Sequence, residues 1–173
     1  MKKRPTLYIF SGLPGVGKTT LAKKLARNLN ATFLRIDTIE QALRDLCSFN
    51  VEGEGYRLSY RVAKDNLQNG NDVIADSCNP IQLTREEWQE VAKSADADFI
   101  NIEIICTDSS IHKQRVESRA SKIPNLSLPS WQEILDREYH EWKTDRVVID
   151  TTNKTIDESY GKLIKLIKNN ILG

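Results

Sequence analysis

A glycine-rich segment near the N-terminus, residues 12–19, constrains the fold of this chain more than any other feature. It reads Gly-Leu-Pro-Gly-Val-Gly-Lys-Thr and matches the pattern G-x-x-x-x-G-K-[ST] in full. A short apolar run, residues 6–10, precedes it, and Leu21, Leu25 and Leu29 follow it at helical spacing. The sequence therefore predicts a strand, a tight turn and a helix in this order, which is the context that a P-loop requires.

The residue types of the P-loop, residues 12–19, explain its chemistry. Glycines let the backbone turn tightly, so that successive amide hydrogens point at phosphate groups, and the following helix adds its positive dipole end. Lys18 supplies a cation for the β- and γ-phosphates, and the Thr19 hydroxyl is a ligand for Mg²⁺. The predicted nucleotide-binding residues are Gly12, Leu13, Pro14, Gly15, Val16, Gly17, Lys18, Thr19 and Thr20.

Short apolar runs alternate with helical patterns along the rest of the chain. The predicted strands are residues 6–10, 31–36, 72–76, 99–106 and 147–150. This alternation indicates an α/β fold with a parallel sheet and helices on both faces. Ligands of such sheets bind beyond the carboxyl ends of the strands. We therefore expect the P-loop to lie close to Asp37, Asp76, Asp108 and residues 151–153.

Two helices in the second half of the chain are predicted from side-chain patterns. Thr84, with Glu87 three residues later, fits the capping box of a helix. A stripe at helical spacing predicts a further helix with its apolar side in the core: Trp131, Leu135, Tyr139 and Trp142.

Length and charge limit the possible functions. The chain has 173 residues, the size of one domain, and we treat residues 1–173 as a single domain. Its formal net charge of +1 argues against a dedicated nucleic-acid or membrane-surface binder. The three cysteines match no metal-ligand spacing, and no apolar run is long enough for a membrane helix. We expect a cytoplasmic protein.

Asp37 is the first candidate catalytic residue outside the P-loop. It ends the second predicted strand, which would direct its carboxylate toward the phosphates. A phosphotransferase must align the attacking hydroxyl or accept its proton, and a carboxylate does either. Asp37 and Glu40 also fit a capping box, so a helix cap is the alternative.

Asp76 is the second carboxylate at a strand end. An aspartate in this position commonly orients the waters of Mg²⁺ in P-loop enzymes. Residues 76–80 are also turn-like, so a turn cap is the alternative. Thr19 and Asp76 are the predicted metal-binding residues.

A polar helix predicted from Asp108 carries Arg115 and Arg119 four residues apart on one face. Such arginines stabilise the charge of a phosphoryl-transfer transition state. Together with the loop that follows, approximately residues 108–130 form a predicted lid that excludes water. His112 extends the same basic stripe, and a solvated helix face is the alternative. The predicted catalytic residues are Lys18, Asp37, Arg115 and Arg119.

A guanine-specific GTPase would carry an Asn-Lys-x-Asp element. Residues 153–156 read Asn-Lys-Thr-Ile and depart from that pattern at its last position. The sequence therefore favours a transferase over a GTPase switch.

The P-loop, the strand ending in Asp37, residues 73–79 and residues 115–119 together resemble small P-loop kinases of the nucleoside-monophosphate-kinase-like superfamily. This superfamily includes gluconate kinase, chloramphenicol phosphotransferase, polynucleotide 5′-hydroxyl kinase domains and zeta-toxin-like proteins. The resemblance implies a three-layer P-loop NTPase fold, with a five-stranded parallel sheet and a small helical lid. It also implies ATP with Mg²⁺, residues 151–153 near adenine, and γ-phosphate transfer to a hydroxyl or phosphate of a small-molecule or nucleoside-like acceptor.

The acceptor side departs from part of this pattern. Polynucleotide kinases place an arginine within one turn of the catalytic aspartate, whereas Thr-Ile-Glu follows Asp37 here. This departure and the low net charge disfavour an oligonucleotide acceptor. A zeta-toxin-like kinase of a sugar nucleotide, or a nucleotide-binding ATPase or regulator without transfer, is the alternative function. Arg57, Arg61 and Arg85 are interpreted as surface charges, and binding of an acidic substrate is the alternative.

Overall fold

The computed structural model describes residues 4–172, with side chains described as far as residue 169. Its strands are β1 (Thr6–Ser11), β2 (Thr32–Arg35), β3 (Val73–Asp76), β4 (Asp98–Ile105) and β5 (Val147–Asp150). They form one sheet in the order β2-β3-β1-β4-β5, and every neighbouring pair is parallel. The predicted five-stranded parallel sheet is therefore confirmed.

Helices cover both faces of this sheet. They are α1 (Lys18–Leu29), α2 (Ile36–Cys47), α3 (Glu54–Gln68), α4 (Gln82–Ser94), α5 (Ser109–Ser118), α6 (Trp131–Leu135) and α7 (Ile156–Leu172). The connections from β2 to β3 and from β4 to β5 each contain two helices, α2 with α3 and α5 with α6. Within residues 4–172, no helix combines the length and the apolar character that crossing a membrane would need.

The core consists of two apolar clusters, one on each face of β1. Because successive strand residues point to opposite faces, Tyr8 and Phe10 join the cluster under α1 and α7, and Leu7 and Ile9 join the cluster under α3 and α4. All six residues of β1 are buried, as expected for a central strand that is covered on both faces. This arrangement is the predicted three-layer α/β fold.

Two of the helix predictions are wrong. Helix α4 begins at Gln82, and its N-cap is Ile81; the Thr84 hydroxyl donates to the Ile81 carbonyl, and Glu87 accepts a hydrogen bond from Tyr60. The predicted capping box is therefore absent, because the helix begins two residues before Thr84.

The predicted helix through the aromatic stripe is the second correction. Helix α6 covers only Trp131–Leu135, and Tyr139 and Trp142 lie in the non-helical segment that follows it. Both rings face the Arg85 guanidinium carbon, at 5.0 and 4.0 Å from the ring centroids respectively. Contacts with a buried cation, rather than helical packing, determine where these two aromatic side chains lie.

Candidate active site

The P-loop joins the buried end of β1 to the first turn of α1. Gly12, Gly15 and Gly17 have φ values of 139°, 90° and 92°, a region that L side chains rarely adopt. A Cβ atom on Gly12 would also overlap the carbonyl oxygen of Ile104. Glycine is therefore required at the start of the loop both for its backbone conformation and for its close approach to β4.

The N-terminus of α1 has no cap from its own chain. Gly17 is its N-cap, no side chain accepts from its first amides, and the first turn contains no acidic residue. The N-termini of α2, α3 and α4 also lack a side-chain cap, whereas Asp108 caps α5 and Ser130 caps α6. Uncapped amides and a positive dipole end that follow a glycine-rich loop form a binding site for phosphate.

Lys18 and Asp76 form an ion pair at the carboxyl end of the sheet. The Lys18 ammonium lies 3.3 Å from Asp76 Oδ1, and the two side chains are 11% and 1% exposed. Burial alone would lower the pKa of Lys18, but the nearby Asp76 and Asp37 carboxylates raise it above its ordinary value. Lys18 is therefore a cation, and Asp76 faces the P-loop rather than capping the turn that follows β3.

Arg35 connects the two carboxylates that the sequence singled out, and sequence reasoning missed it. Its Nη2 donates to Asp37 Oδ2 at 3.5 Å, and its Nε lies 3.9 Å from Asp76 Oδ2. Both the Arg35 Nε and the Asp76 Oδ2 are buried without a hydrogen-bond partner in the described structure. The strand register pairs Arg35 with Asp76, a relation that the sequence shows only once the order of the strands is known.

Asp37 lies inside the first turn of α2 and does not cap it. The N-cap is Arg35, and no side-chain cap is present. Glu40 pairs with Arg44 at 3.7 Å instead of forming a capping box. The helix cap considered for Asp37 is thus wrong, because α2 begins one residue before it. The Asp37 side chain is 48% exposed.

A cleft of about 390 Å³ opens beside Asp37, and we call it the Asp37 cleft. Helices α2 and α3, the loop after β3 and the start of α4 contribute most of its wall. Its lining residues are Ile36, Asp37, Glu40, Glu52, Gly53, Tyr56, Arg57, Cys78, Pro80, Ile81, Leu83, Thr84, Glu87 and Arg137. Its size is that of a small-molecule site.

Arg85 supports the loop between the P-loop and the Asp37 cleft, so its interpretation as a surface charge is wrong. It is 3% exposed and donates to the carbonyl oxygens of Asn79, Pro80 and His140, each at 3.0 Å. The same loop bonds to the P-loop, because the Gly12 amide donates to the Cys78 carbonyl at 3.1 Å. No spacing rule would find this role, since the acceptors of Arg85 are backbone atoms.

The two arginines of the predicted lid point to different places. Arg115 donates to the hydroxyl and carbonyl of Thr151 at 2.8 and 2.9 Å, and that hydroxyl donates to the Val16 carbonyl in the P-loop. Arg119 follows the end of α5 and is partly buried. Burial lowers the pKa of Arg119, and the negative charge of Asp37 acts in the opposite direction. Arg115 thus adjoins the expected adenine side, and Arg119 the Asp37 side.

His112 does not belong to an exposed basic stripe. It is 5% exposed, its Nε2 lies 2.8 Å from the Pro14 carbonyl oxygen, and its ring packs edge-on against Trp131. The buried face of α5 therefore contacts the P-loop directly. This contact also holds α5, the first part of the predicted lid, against the P-loop.

Comparison with known proteins agrees with this geometry. The family model described as "AAA domain" matches residues 7–138. The L-seryl-tRNA(Sec) kinase of Methanococcus maripaludis is 27% identical over 94% of this chain, which spans only 66% of that relative. An adenylyl-sulfate kinase of Bacillus velezensis is 27% identical over 98% of this chain and 88% of its own length. These named kinases support the general phosphotransferase role expected from the sequence.

A solved structure shows the same fold. The Mycobacterium tuberculosis APS kinase, in complex with AMPPNP and APS, superimposes with a TM-score of 0.71 and 20% identity. The alignment covers 95% of this chain and 98% of that one. The match of the family model over most of the chain confirms the expected likeness to P-loop kinases, and the chain belongs to the AAA domain family.

Proposed function

We propose that this chain is an ATP-dependent kinase that transfers the γ-phosphate of ATP to a hydroxyl group of a small molecule in the Asp37 cleft. One observation supports this most strongly: a cationic Lys18 on an uncapped phosphate-binding helix interacts with both Asp37 and Asp76. A phosphate-binding site and a carboxylate-lined cleft therefore adjoin at one edge of the sheet. Transfer requires both sites, whereas nucleotide binding alone requires only the first.

In the proposed donor site, residues 12–20 enclose the ATP phosphates. The amides of the loop and of the first turn of α1 would donate to phosphate oxygens, and Lys18 would neutralise charge on the β- and γ-phosphates. Segment 151–153 would lie beside adenine, and Arg115 holds its first residue in place through two hydrogen bonds.

Thr19 and Asp76 are the residues that would hold Mg²⁺ in this proposal. The fit is supported by Asp76 Oδ2, a buried carboxylate oxygen without a hydrogen-bond partner among the described residues. Mg²⁺ prefers oxygen ligands and commonly combines one or two protein groups with substrate phosphates and water. When bound, it would neutralise charge that develops between the β- and γ-phosphates.

Asp37 would act on the acceptor. The acceptor oxygen attacks the γ-phosphorus, the bond from that phosphorus to the β,γ-bridging oxygen breaks, and ADP leaves with the bond electrons. The proton of the acceptor hydroxyl passes to the Asp37 carboxylate. A role as general base is supported by the partial exposure of this carboxylate and its position on the wall of the Asp37 cleft.

We further propose that residues 1–173 act as a single domain in which approximately residues 108–130 close over the nucleotide. Arg119 would then stabilise charge on the transferred phosphoryl group, which its interaction with Asp37 supports. Arg115 would have the same task only after exchanging its bonds to Thr151. Because the reaction draws on the cellular ATP pool, we place it in the cytoplasm.

The proposal is tested by incubating the protein with γ-labelled ATP, Mg²⁺ and pools of small hydroxyl compounds. Label recovered in an organic product, at a rate about 10²-fold lower for Asp37→Asn, would support it. Release of label only as inorganic phosphate would favour the non-transferring ATPase or regulator. Label on a sugar nucleotide, with toxicity on expression that Asp37→Ala relieves, would favour the zeta-toxin-like alternative, and label on oligonucleotides would contradict a small-molecule acceptor.

A further inference from the structure

Thr151, the first residue after β5, joins helix α5 of the predicted lid to the P-loop. It is 6% exposed, and its hydroxyl donates to the Val16 carbonyl oxygen at 2.9 Å, with the Ile105 carbonyl oxygen 3.1 Å away. The same hydroxyl accepts a hydrogen bond of 2.8 Å from Arg115 Nη1, and Arg115 Nη2 donates to the Thr151 carbonyl at 2.9 Å. One buried hydroxyl, used both as donor and as acceptor, therefore connects α5 to the P-loop.

Helix α5 reaches the P-loop at two alternate peptide units. His112 Nε2 bonds directly to the Pro14 carbonyl oxygen at 2.8 Å, whereas Arg115 reaches the Val16 carbonyl oxygen through Thr151. Since His112 and Arg115 are three residues apart, they lie on one face of α5. The two contacts thus form one support of the loop, one part direct and the other carried by Thr151.

The supported carbonyls determine where two amides of the P-loop point. In a trans peptide the N–H and the C=O point in opposite directions, and no described peptide bond is cis. The bonds to the Pro14 and Val16 carbonyls therefore turn the amide hydrogens of Gly15 and Gly17 away from α5 and β5. These glycines have φ values of 90° and 92°, and left-handed residues that alternate with others form concavities of amide hydrogens that bind anions.

The backbone around Thr151 is held independently of Arg115. Asp150 Oδ1 accepts from the Thr152 amide at 3.0 Å, and its Oδ2 accepts from the Thr107 hydroxyl at 2.6 Å. The Thr151 amide donates to the Ile105 carbonyl at 3.0 Å. Loss of the Thr151 hydroxyl should therefore leave the loop after β5 in place and remove only the connection between α5 and the P-loop.

We propose that Thr151 is a positioning residue of the phosphate site, whose hydroxyl transmits the position of Arg115 to the Val16 carbonyl and so orients the Gly17 amide toward the ATP phosphates. The inference rests on the proposed kinase function, in which residues 12–20 enclose these phosphates. It adds to the phosphate site a residue from outside the P-loop. It also gives Arg115 a task that needs no contact with the nucleotide.

The first test measures binding and does not depend on turnover. A non-hydrolysable ATP analogue and inorganic triphosphate, each with Mg²⁺, are titrated by calorimetry. Thr151→Val keeps the shape of the side chain without its hydroxyl, and it should weaken both ligands by about 10-fold, because a misoriented amide loses a charge-assisted bond to phosphate. Thr151→Ser keeps the hydroxyl and should bind both ligands within about 2-fold of the wild-type affinity.

Thr32→Val is the matched control, because the Thr32 hydroxyl donates to Asn66 Oδ1 at 2.9 Å at the amino end of β2. It should lower Tm and leave both affinities unchanged. A lowered Tm with unchanged affinities in Thr151→Val would instead make Thr151 a purely structural residue. Weaker binding of the ATP analogue alone would assign Thr151 to the nucleoside end of the site, and weak binding by Thr151→Ser would exclude the hydroxyl as the cause. Each of these three results overturns the inference.

The second test is a double-mutant cycle with Arg115→Met, followed by the affinity for inorganic triphosphate. Arg115→Met should weaken binding by about 10-fold in the wild-type background and by less than about 2-fold in the Thr151→Val background, because both changes remove the same connection. Additive losses would mean that Arg115 contacts phosphate itself, which contradicts a role through Thr151. Thr151→Ala replaces Thr151→Val in both tests if the valine variant does not fold.

The kinase proposal and this inference can fail separately. Absence of phosphate transfer to every acceptor, with triphosphate binding that depends on the Thr151 hydroxyl, would contradict the kinase proposal and support the inference. Phosphate transfer by the wild-type protein, with unchanged triphosphate affinity in Thr151→Val, would contradict the inference and leave the kinase proposal intact.

Discussion

The P-loop and the Asp37 cleft are built in different ways, although they share one edge of the sheet. The P-loop is fixed by glycine backbone in conformations that other residues rarely adopt, and by bonds to its neighbours, including those from His112 and Thr151 to its carbonyl oxygens. The Asp37 cleft is lined by long charged side chains, and two of them, Arg57 and Arg137, are exposed. A phosphate site with a fixed backbone thus adjoins a cleft that is lined by charged side chains. This difference explains why the donor is easier to predict than the acceptor.

The largest expected effect is at the donor site. Lys18→Ala removes the cation that faces the phosphates, and loss of one such electrostatic contact costs about 10³-fold in kcat, measured as γ-phosphate transfer. Lys113→Ala is a suitable control, because Lys113 is exposed and pairs only with Glu117 on the surface of α5. If Lys18→Ala retained its activity, the P-loop would not be the donor site, and the contrast between a fixed donor site and an adaptable acceptor site would fail.

The next effect concerns the support that the two sites share. Arg85→Met removes the guanidinium hydrogen bonds to the carbonyls of Asn79, Pro80 and His140, and it removes a buried cation from two aromatic rings. The Pro80 carbonyl keeps the His140 amide as a donor, whereas the other two carbonyls lose theirs. We expect the free energy of unfolding in urea to fall by about 3 kcal/mol. Arg61→Met, an exposed arginine, should change it by less than about 0.5 kcal/mol. Equal effects of the two changes would mean that Arg85 does not hold the loop after β3.

Asp37→Asn tests whether Asp37 acts on the acceptor or belongs to the donor site. The amide keeps the size of the carboxylate but accepts no proton, so kcat should fall by about 10²-fold while ATP affinity stays the same. Steady-state transfer assays and equilibrium binding of ATP measure the two quantities separately. Asp65→Asn on the exposed side of α3 is the matched control. A parallel loss of ATP affinity would assign Asp37 to the donor side instead.

A smaller effect is expected from Arg35→Gln, which acts on both sites at once. Arg35 contacts both the Asp37 and the Asp76 carboxylate, and its removal frees them from their common neighbour. Misplacement of these groups should lower kcat by about 10-fold and change the Mg²⁺ dependence of the rate. Arg35→Lys should restore part of the rate. A purely structural role would lower Tm without altering the Mg²⁺ dependence.

The donor side could be read from the sequence because its signals are local. The P-loop, its strand and its helix lie within about 25 consecutive residues, and the structure has them where the pattern predicts. The end of β3 at Asp76 was equally accessible, because buried parallel strands are short apolar runs. The second strand ends at Arg35, earlier than predicted, and Asp37 lies in the first turn of α2. The sequence could not decide whether Asp37 is a catalytic residue or a helix cap, because the answer depended on whether α2 starts at Ile36 or at Thr38.

The acceptor side depends on contacts between residues that are distant in sequence. Arg85 binds the carbonyl oxygen of His140, 55 residues away, and backbone acceptors leave no trace in residue type. Tyr139 and Trp142 have helical spacing with Trp131, yet they are held by Arg85 instead of by a helix. Arg137 belongs to no sequence motif, and only the structure shows that it lines the Asp37 cleft.

The insertion of both α2 and α3 between β2 and β3 has a consequence for how such a protein can diversify. This excursion supplies much of the wall of the Asp37 cleft, whereas the P-loop is carried by β1 and α1 and braced by α5. Replacement of residues 38–70 would therefore change which acceptor the protein recognises and would leave the phosphate-binding residues unchanged. Natural selection or protein engineering can therefore vary residues 38–70 to change acceptor recognition and keep the P-loop for phosphate binding.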